Sequence, residues 1–323
     1  MIVRLGYVAM STVVENASPS RTMTYTTFSK LADREAAILK LERIAEENLH
    51  NTLRLLRHNR AHDIHLYRFS SKLIPLIGHE DLEREGWDPF PRLEPAFRAI
   101  GEYVVEHDMR VSFHPDHFTV LSTPRDEVLR HSIADLDRHV RMFEAMGLDE
   151  RAKCNIHVGG AYGDKEAAAK RFIANFERLD PRIKERLTLE NDDKTFTVAE
   201  TLDVCERIGV PMVLDLHHHA VNSGGMELDQ PLWERIAYTW VGQRVPPKIH
   251  MSSPKSEKDP RGHADDVRAE DLLAFLRSIR LFTPELDVML EAKRKDGALF
   301  RLMDELKEAS GIRVRDAATV ELI

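Results

Sequence analysis

The stretch Val213-Leu214-Asp215-Leu216-His217-His218-His219-Ala220 decides how this chain is read. It ends a short apolar run (Val210, Met212, Val213, Leu214) with one carboxylate and three imidazoles. Such a run reads as a buried strand that delivers polar groups at its C-terminal end. A carboxylate and imidazoles at one strand mouth point to a divalent metal. The same arrangement recurs elsewhere in the chain, and the recurrence carries the argument.

Working outward, strand-like runs at 2–7, 64–69, 110–114, 153–158, 187–190, 248–251 and 287–291 join the opening stretch. Between them, helical periodicity predicts helices over 34–60, 93–107, 126–146, 165–179, 232–238, 267–279 and 299–309. Thr197 and Glu200 have the capping-box spacing that opens a further helix. Eight strand and helix units without an intervening linker predict a parallel sheet closed into a (β/α)8 TIM barrel. A doubly wound open sheet is the structural alternative. One domain over 1–323 is expected, with an unassigned tail from about 311 and a loop over 252–263. These segments absorb the excess over the ~250 residues usual for this fold.

At 323 residues, 42% hydrophobic and 31% charged, the chain can bury a sizeable core. No stretch approaches the length needed to span a bilayer, so a cytoplasmic protein without a membrane partner is expected. Cys154 and Cys205 are the only cysteines, which excludes a disulfide framework and a cysteine-based zinc site. The net charge of −8 disfavours nucleic acid as a partner. Buried carboxylates holding cations would nevertheless count as negative while presenting positive charge to a ligand.

Polar residues at the strand ends are the informative feature. His114, His157, Glu190, Asp215, His250 and Glu291 close the third to eighth strands, and a barrel points all of these ends at one mouth. Loop residues His79, His218 and His263 could reach the same place. Buried charge must be paired or bound to metal. Oxygen and nitrogen ligands without sulfur suit Mn²⁺ or Zn²⁺, and there are too many ligands for one ion. Two or three closely spaced metals suit hydrolysis at phosphorus. Lys248, two residues before His250, shares its face of the strand. An ammonium beside metals must be neutral, shielded by a carboxylate or converted to an anion. Lys293 is read as a solvated lysine.

Leu5-Gly6-Tyr7, Leu73-Ile74-Pro75 with His79, His114-Pro115, His157-Val158-Gly159-Gly160-Ala161-Tyr162-Gly163 and Leu189-Glu190-Asn191-Asp192 stand in order along the chain. Asp215 with His217-His218, Lys248-Ile249-His250 and Glu291-Ala292-Lys293 follow. Together these motifs resemble the UV damage endonucleases, DNA repair enzymes related in fold to endonuclease IV. The resemblance runs from residue 2 to about 295. It implies a barrel with three metal ions, usually manganese (zinc or magnesium being alternatives), that incises DNA immediately 5′ of pyrimidine dimers and (6-4) photoproducts. Abasic sites are implied as further substrates.

By the same resemblance, Glu190, Asp215, His250 and Glu291 would hold one metal. His114 and His157, sharing Glu190, would hold a second, and His218 and His263 a third. His79 would lie near the scissile phosphate, Lys248 would be carboxylated, and Tyr7 would face the lesion. Some members probe the duplex with Gln-Tyr after the His-Pro motif; here His117-Phe118 stand there, keeping an aromatic wedge. Arg68, Lys255, Lys258 and Arg261 are candidate phosphate contacts. The expected partner is damaged double-stranded DNA, with no nucleotide cofactor, bound by a monomer. A metal-dependent sugar isomerase and a catalytically silent lesion-binding module are the rival readings.

Overall fold

The computed structural model describes residues 1–323. In chain order its strands are β1 (Ile2–Val8), β2 (Leu66–Arg68), β3 (Arg110–Phe113), β4 (Lys153–His157), β5 (Leu187–Glu190) and β6 (Met212–Asp215). They continue with β7 (Lys248–Met251), β8 (Pro254–Ser256), β9 (Asp259–His263), β10 (Glu285–Leu290), β11 (Ile312–Val314) and β12 (Thr319–Leu322). Strands β1 to β6 each pair in parallel with the next, β7 pairs with β10, and β10 closes the ring on β1. This is the closed eight-stranded parallel TIM barrel that the alternating pattern predicts, and it rules out the open sheet.

Side chains alternate along each strand, so every second residue enters the barrel. Inward positions fall into two levels. Arg4, Arg110, Lys153, Lys248 and Asp287 lie towards the strand starts, with Arg4 opposite Asp287 and Asp287 opposite Lys248 in register. Two to four residues further along stand Arg68, His114, His157, Glu190, Asp215, His250 and Glu291. Outward positions are apolar and pack beneath the helices, which is why Leu5, Ile156, Leu189, Leu214, Ile249 and Val288 are all buried. Gly6 permits this geometry between β1 and β2: a Cβ there would stand 2.1 Å from the Leu66 carbonyl oxygen.

The helices begin and end for local reasons. The capping box at Thr197 and Glu200 forms, with the Thr197 amide donating to Glu200 Oε2 at 2.9 Å. Gly209 ends that helix at φ +69, the left-handed cap that glycine adopts without strain. Asp215 does two jobs, ending β6 and capping the helix Leu216–Val221 by accepting from the His218 amide at 2.7 Å. The three histidines therefore lie on one helical turn, and their side chains diverge.

Two expectations need correction. The 252–263 segment is not a loop but contains the antiparallel hairpin β8–β9, with His263 at its end. The tail beyond Gly311 is likewise ordered. Strand β2 covers only Gly6 to Val8 of β1, and β12 pairs antiparallel with the uncovered Ile2 to Arg4. This pairing joins segments at opposite ends of the chain, so no local pattern announces it. No helix is long and apolar enough to cross a membrane.

Candidate metal centre

Six of the strand-end residues converge. Ligand atoms of His114, His157 and Glu190 lie within 4.8 Å of one another, and so do those of Glu190, Asp215 and His250. Glu190 thus belongs to both groups. Glu291 adjoins the second, its Oε1 standing 3.1 Å from His250 Nδ1. All three carboxylates sit where the strands deliver their last inward side chain, and Glu190 and Asp215 are buried almost completely.

The donor atoms are oriented for cations and not for each other. His114 Nδ1 faces the Pro115 carbonyl at 3.0 Å, so that nitrogen carries the hydrogen. The lone pair on its Nε2 then points at Glu190 Oε2, 3.2 Å away. Two acceptors at that separation repel unless a cation or proton lies between them. His250 Nδ1 is 3.1 Å from Glu190 Oε2, yet both its ring nitrogens are buried without a hydrogen bond, as are His157 Nδ1 and Asp215 Oδ2. Unpartnered buried polar atoms are rare and costly; here they fall on three residues that each share a ligand group with Glu190. Residues and geometry fit divalent metal ions.

Protonation follows the same logic. Burial pushes the His250 imidazole down to about 4, keeping the ring neutral and able to ligate. Burial, reinforced by Glu190 and Glu291 against the pull of His218, pushes the Asp215 carboxyl up to about 8. Burial also opposes ionisation of Glu291, but the Arg68 guanidinium holds that carboxyl well below the usual range. Lys248 is inside the barrel as its spacing from His250 predicts, with Nζ 3.4 Å from Ser112 Oγ. Burial, then Arg110 and Arg68, push its ammonium down to about 7.

His218 and His263 are held differently. His218 Nδ1 donates to the Asn191 carbonyl at 2.8 Å and His263 Nδ1 to the Glu291 carbonyl at 2.7 Å. In each the Nδ1 bond leaves Nε2 as the nitrogen for a cation, the usual arrangement of a metal-ligating histidine. Without one, burial of His218 is outweighed by Asp215 and Glu190, which hold it protonated up to about 11, so a cation there displaces a proton. His217 adjoins both, its ring centroid 6.3 Å from that of His218 and 5.3 Å from that of His263.

Other expected site residues lie outside this cluster. His79 caps the short helix Glu80–Arg84 and stacks on Tyr25 with centroids 3.8 Å apart; it makes no hydrogen bond or ion pair to the metal ligands. Tyr7 is a correction. The alternation that sends Arg4, Gly6 and Val8 inward sends Tyr7 outward beneath the helix Arg34–Ala61, where its hydroxyl donates to Asn59 Oδ1 at 2.7 Å. Buried there, it has no face to offer a lesion. Arg68 is not a free phosphate contact either, since its guanidinium is paired with Glu291. His117 and Phe118 lie on the mouth's rim with ring centroids 4.0 Å apart and planes tilted by 40°, Phe118 being 73% exposed. Lys255 pairs with Asp259 and Arg261 with Asp193, and Lys293 is exposed as expected.

Several supporting residues escaped the sequence reading. Asn155 donates to Glu190 Oε2 and accepts from Thr188 Oγ1, fixing the shared carboxylate. Asn191 clamps Asp215 through both backbone groups at 2.9 Å. A usable signal existed for Asn155 and Ser112, each two residues before a ligand and hence on the same inward face.

Comparison with known proteins agrees with this geometry. The family described as UV-endonuclease UvdE matches residues 3–322. The UV DNA damage endonuclease of Halalkalibacterium halodurans is 44% identical over 322 residues, covering 99% of either chain. That of Bacillus pumilus is 42% identical over 318 residues, 98% of either chain. The crystal structure of SacUVDE superposes with a TM-score of 0.81 at 30% identity, spanning 95% of this chain and 98% of that one. Endonuclease IV from Thermus thermophilus shares the fold, with a TM-score of 0.55 at 15% identity over 95% of this chain and all of its own. A match of this extent, over a barrel whose mouth gathers carboxylates and imidazoles about Glu190, leaves no place for the isomerase reading: the chain belongs to the UV-endonuclease UvdE family and is a DNA repair endonuclease, a hydrolase.

Proposed function

We propose that the chain incises double-stranded DNA immediately 5′ of cyclobutane pyrimidine dimers, (6-4) photoproducts and abasic sites, leaving a 3′-hydroxyl and a 5′-phosphate. The observation that carries this reading is Glu190, one buried carboxylate common to two ligand groups. Three divalent cations are proposed, manganese foremost: the first on Glu190, Asp215, His250 and Glu291, the second on His114, His157 and Glu190, the third on His218 and His263. Bound there, they would lower the pKa of a water and neutralise both oxygens of an in-line displacement at phosphorus.

The chain's own residues orient the reaction. Asn155 holds the Glu190 oxygens in place, and Asn191 holds the backbone of Asp215. Lys248, buried below His250, is proposed to be carboxylated, which replaces a costly ammonium with an anion suited to metals. His79 is proposed to contact the scissile phosphate from its loop. His117 and Phe118, exposed on the rim, are proposed to enter the duplex at the lesion, where an aromatic ring can unstack bases. A cytoplasmic monomer is the proposed working form.

The test is incubation of UV-irradiated and undamaged duplexes with enzyme and Mn²⁺, with product ends mapped on a sequencing gel. Cutting confined to irradiated strands, one phosphodiester 5′ of the lesion, supports the proposal. Equal cutting of both duplexes overturns it. Intact mass spectrometry for one added carbon dioxide tests Lys248.

A further inference from the structure

His217 adjoins both histidines of the third pair, and its chemistry separates it from them. Its Nε2 faces the Pro260 carbonyl at 2.7 Å; a carbonyl can only accept, so the hydrogen sits on Nε2. Nδ1 therefore accepts from the Ser252 hydroxyl at 2.5 Å. Both ring nitrogens are used, the ring is buried, and no lone pair is left for a cation. His217 cannot itself be a ligand.

Its partners show what it does instead. Pro260 belongs to β9, the strand that ends in His263, and Ser252 follows β7 directly after Met251. His217 belongs to the helical turn that carries His218. One imidazole thus ties the support of one ligand to the support of the other, and its ring packs edge-on against His263. The hairpin is also tied by the His263 bond to the Glu291 carbonyl, by the Lys293 amide donating to the Ala264 carbonyl at 3.0 Å just beyond β9, and by a 3.6 Å ion pair from half-exposed Arg261 to Asp193. None of these reaches the helix Leu216–Val221; the His217–Pro260 bond is the hydrogen bond that joins it to the hairpin.

We propose that His217 is a positioning residue for the third cation: it sets the separation of His218 and His263 through its bonds to Pro260 and Ser252. This rests on the proposed three-cation reading. Losing such a supporting partner typically weakens metal affinity about 10–100-fold. The effect should fall on one ion, because Glu190, His250, His114 and His157 are carried by strands, and Asp215, although it caps this helix, is clamped independently by Asn191.

The test is Mn²⁺ titration of metal-stripped protein by electron paramagnetic resonance and isothermal calorimetry, with ions counted per chain. Wild type should bind three Mn²⁺. His217→Phe, which keeps the ring and removes both bonds, should weaken the weakest site about 10–100-fold and leave the other two unchanged. His217→Gln, whose amide can still donate to Pro260, should recover part of the loss. Ser252→Ala, a smaller change should the Phe variant not fold, should weaken the same site to a lesser degree. A His217→Phe or Ser252→Ala protein with three unaltered affinities overturns the assignment. If wild type binds only two ions, the three-cation reading fails and this inference with it; three ions in wild type with unaltered variants fails the inference alone.

Discussion

The two levels inside the barrel hold similar residues and do opposite things. In the lower level Asp287 is wholly buried, and Arg4 meets it with two bonds of 2.7 and 2.9 Å while Arg110 adds a third at 2.6 Å. Its charge is answered by the protein. In the upper level Asp215 is equally buried, but its Oδ2 has no partner and its neighbours include Glu190 and Glu291. The lower carboxylate is part of the fold; the upper one is left for a ligand. A buried carboxylate is therefore diagnostic only together with its account of partners.

Substitution in each level should separate activity from stability. Glu190→Gln removes the ligand common to two groups, so single-turnover nicking of irradiated duplex in Mn²⁺ should fall by more than the roughly 100-fold that a supporting residue alone can cost. Metal-free stability should fall by less than in the lower level, because Gln keeps the shape and an oxygen that can accept from Asn155, even though the imidazoles of His250, His157 and His114 favour the ionised carboxylate. Asp287→Asn should do the reverse: urea titration should show a loss of about 3–5 kcal/mol, the usual result of stripping the partner from a buried cation, while the folded fraction still cuts. A loss under ~1 kcal/mol there would break the comparison.

Metal removal sharpens it further. Mn²⁺ at one hundred times its Kd should raise unfolding stability by about 2.7 kcal/mol per site over the stripped protein. Asp287→Asn should keep that increment and Glu190→Gln should lose most of it. The stripped protein should also respond to pH through Asp215. Between the ordinary carboxyl range and about 8, the native state holds a proton that the unfolded chain has released. Stability from this group is thus present at low pH and declines as pH rises towards 8. Mn²⁺ competes with that proton, so its apparent affinity should rise over the same window; thermal melts with and without metal at pH 5 to 9 check both slopes. The smallest effect is expected at the rim. Phe118→Ala should leave melting within about 0.5 kcal/mol and weaken binding to irradiated duplex roughly tenfold, the scale of one lost base stack.

Much of the upper level is legible in the chain because it is written at period two. From β3 onward each barrel strand's last inward residue is a ligand, and the apolar run before it marks the strand. The same rule applied one step earlier would have exposed Asn155 and Ser112. Applied to β1 it would have turned Tyr7 outward, where the family resemblance pointed the other way. The hairpin β8–β9 was harder to see, since Ser, Pro, Lys and Gly also compose ordinary loops, and β9 is anchored by His217 and Glu291 far away in sequence.

The sequence by itself determined the alternation that makes a barrel, the strand ends that carry its chemistry and, through motif order, the family. Only the tertiary structure decided which polar groups answer one another. It paired Asp287 with two arginines, drew Arg68 onto Glu291, left Asp215 and His250 with unpartnered atoms, and bonded His217 to Ser252 and Pro260. The physical reason is that strand periodicity is local, whereas satisfying a buried charge or hydrogen bond depends on groups brought together from distant parts of the chain by closure of the ring.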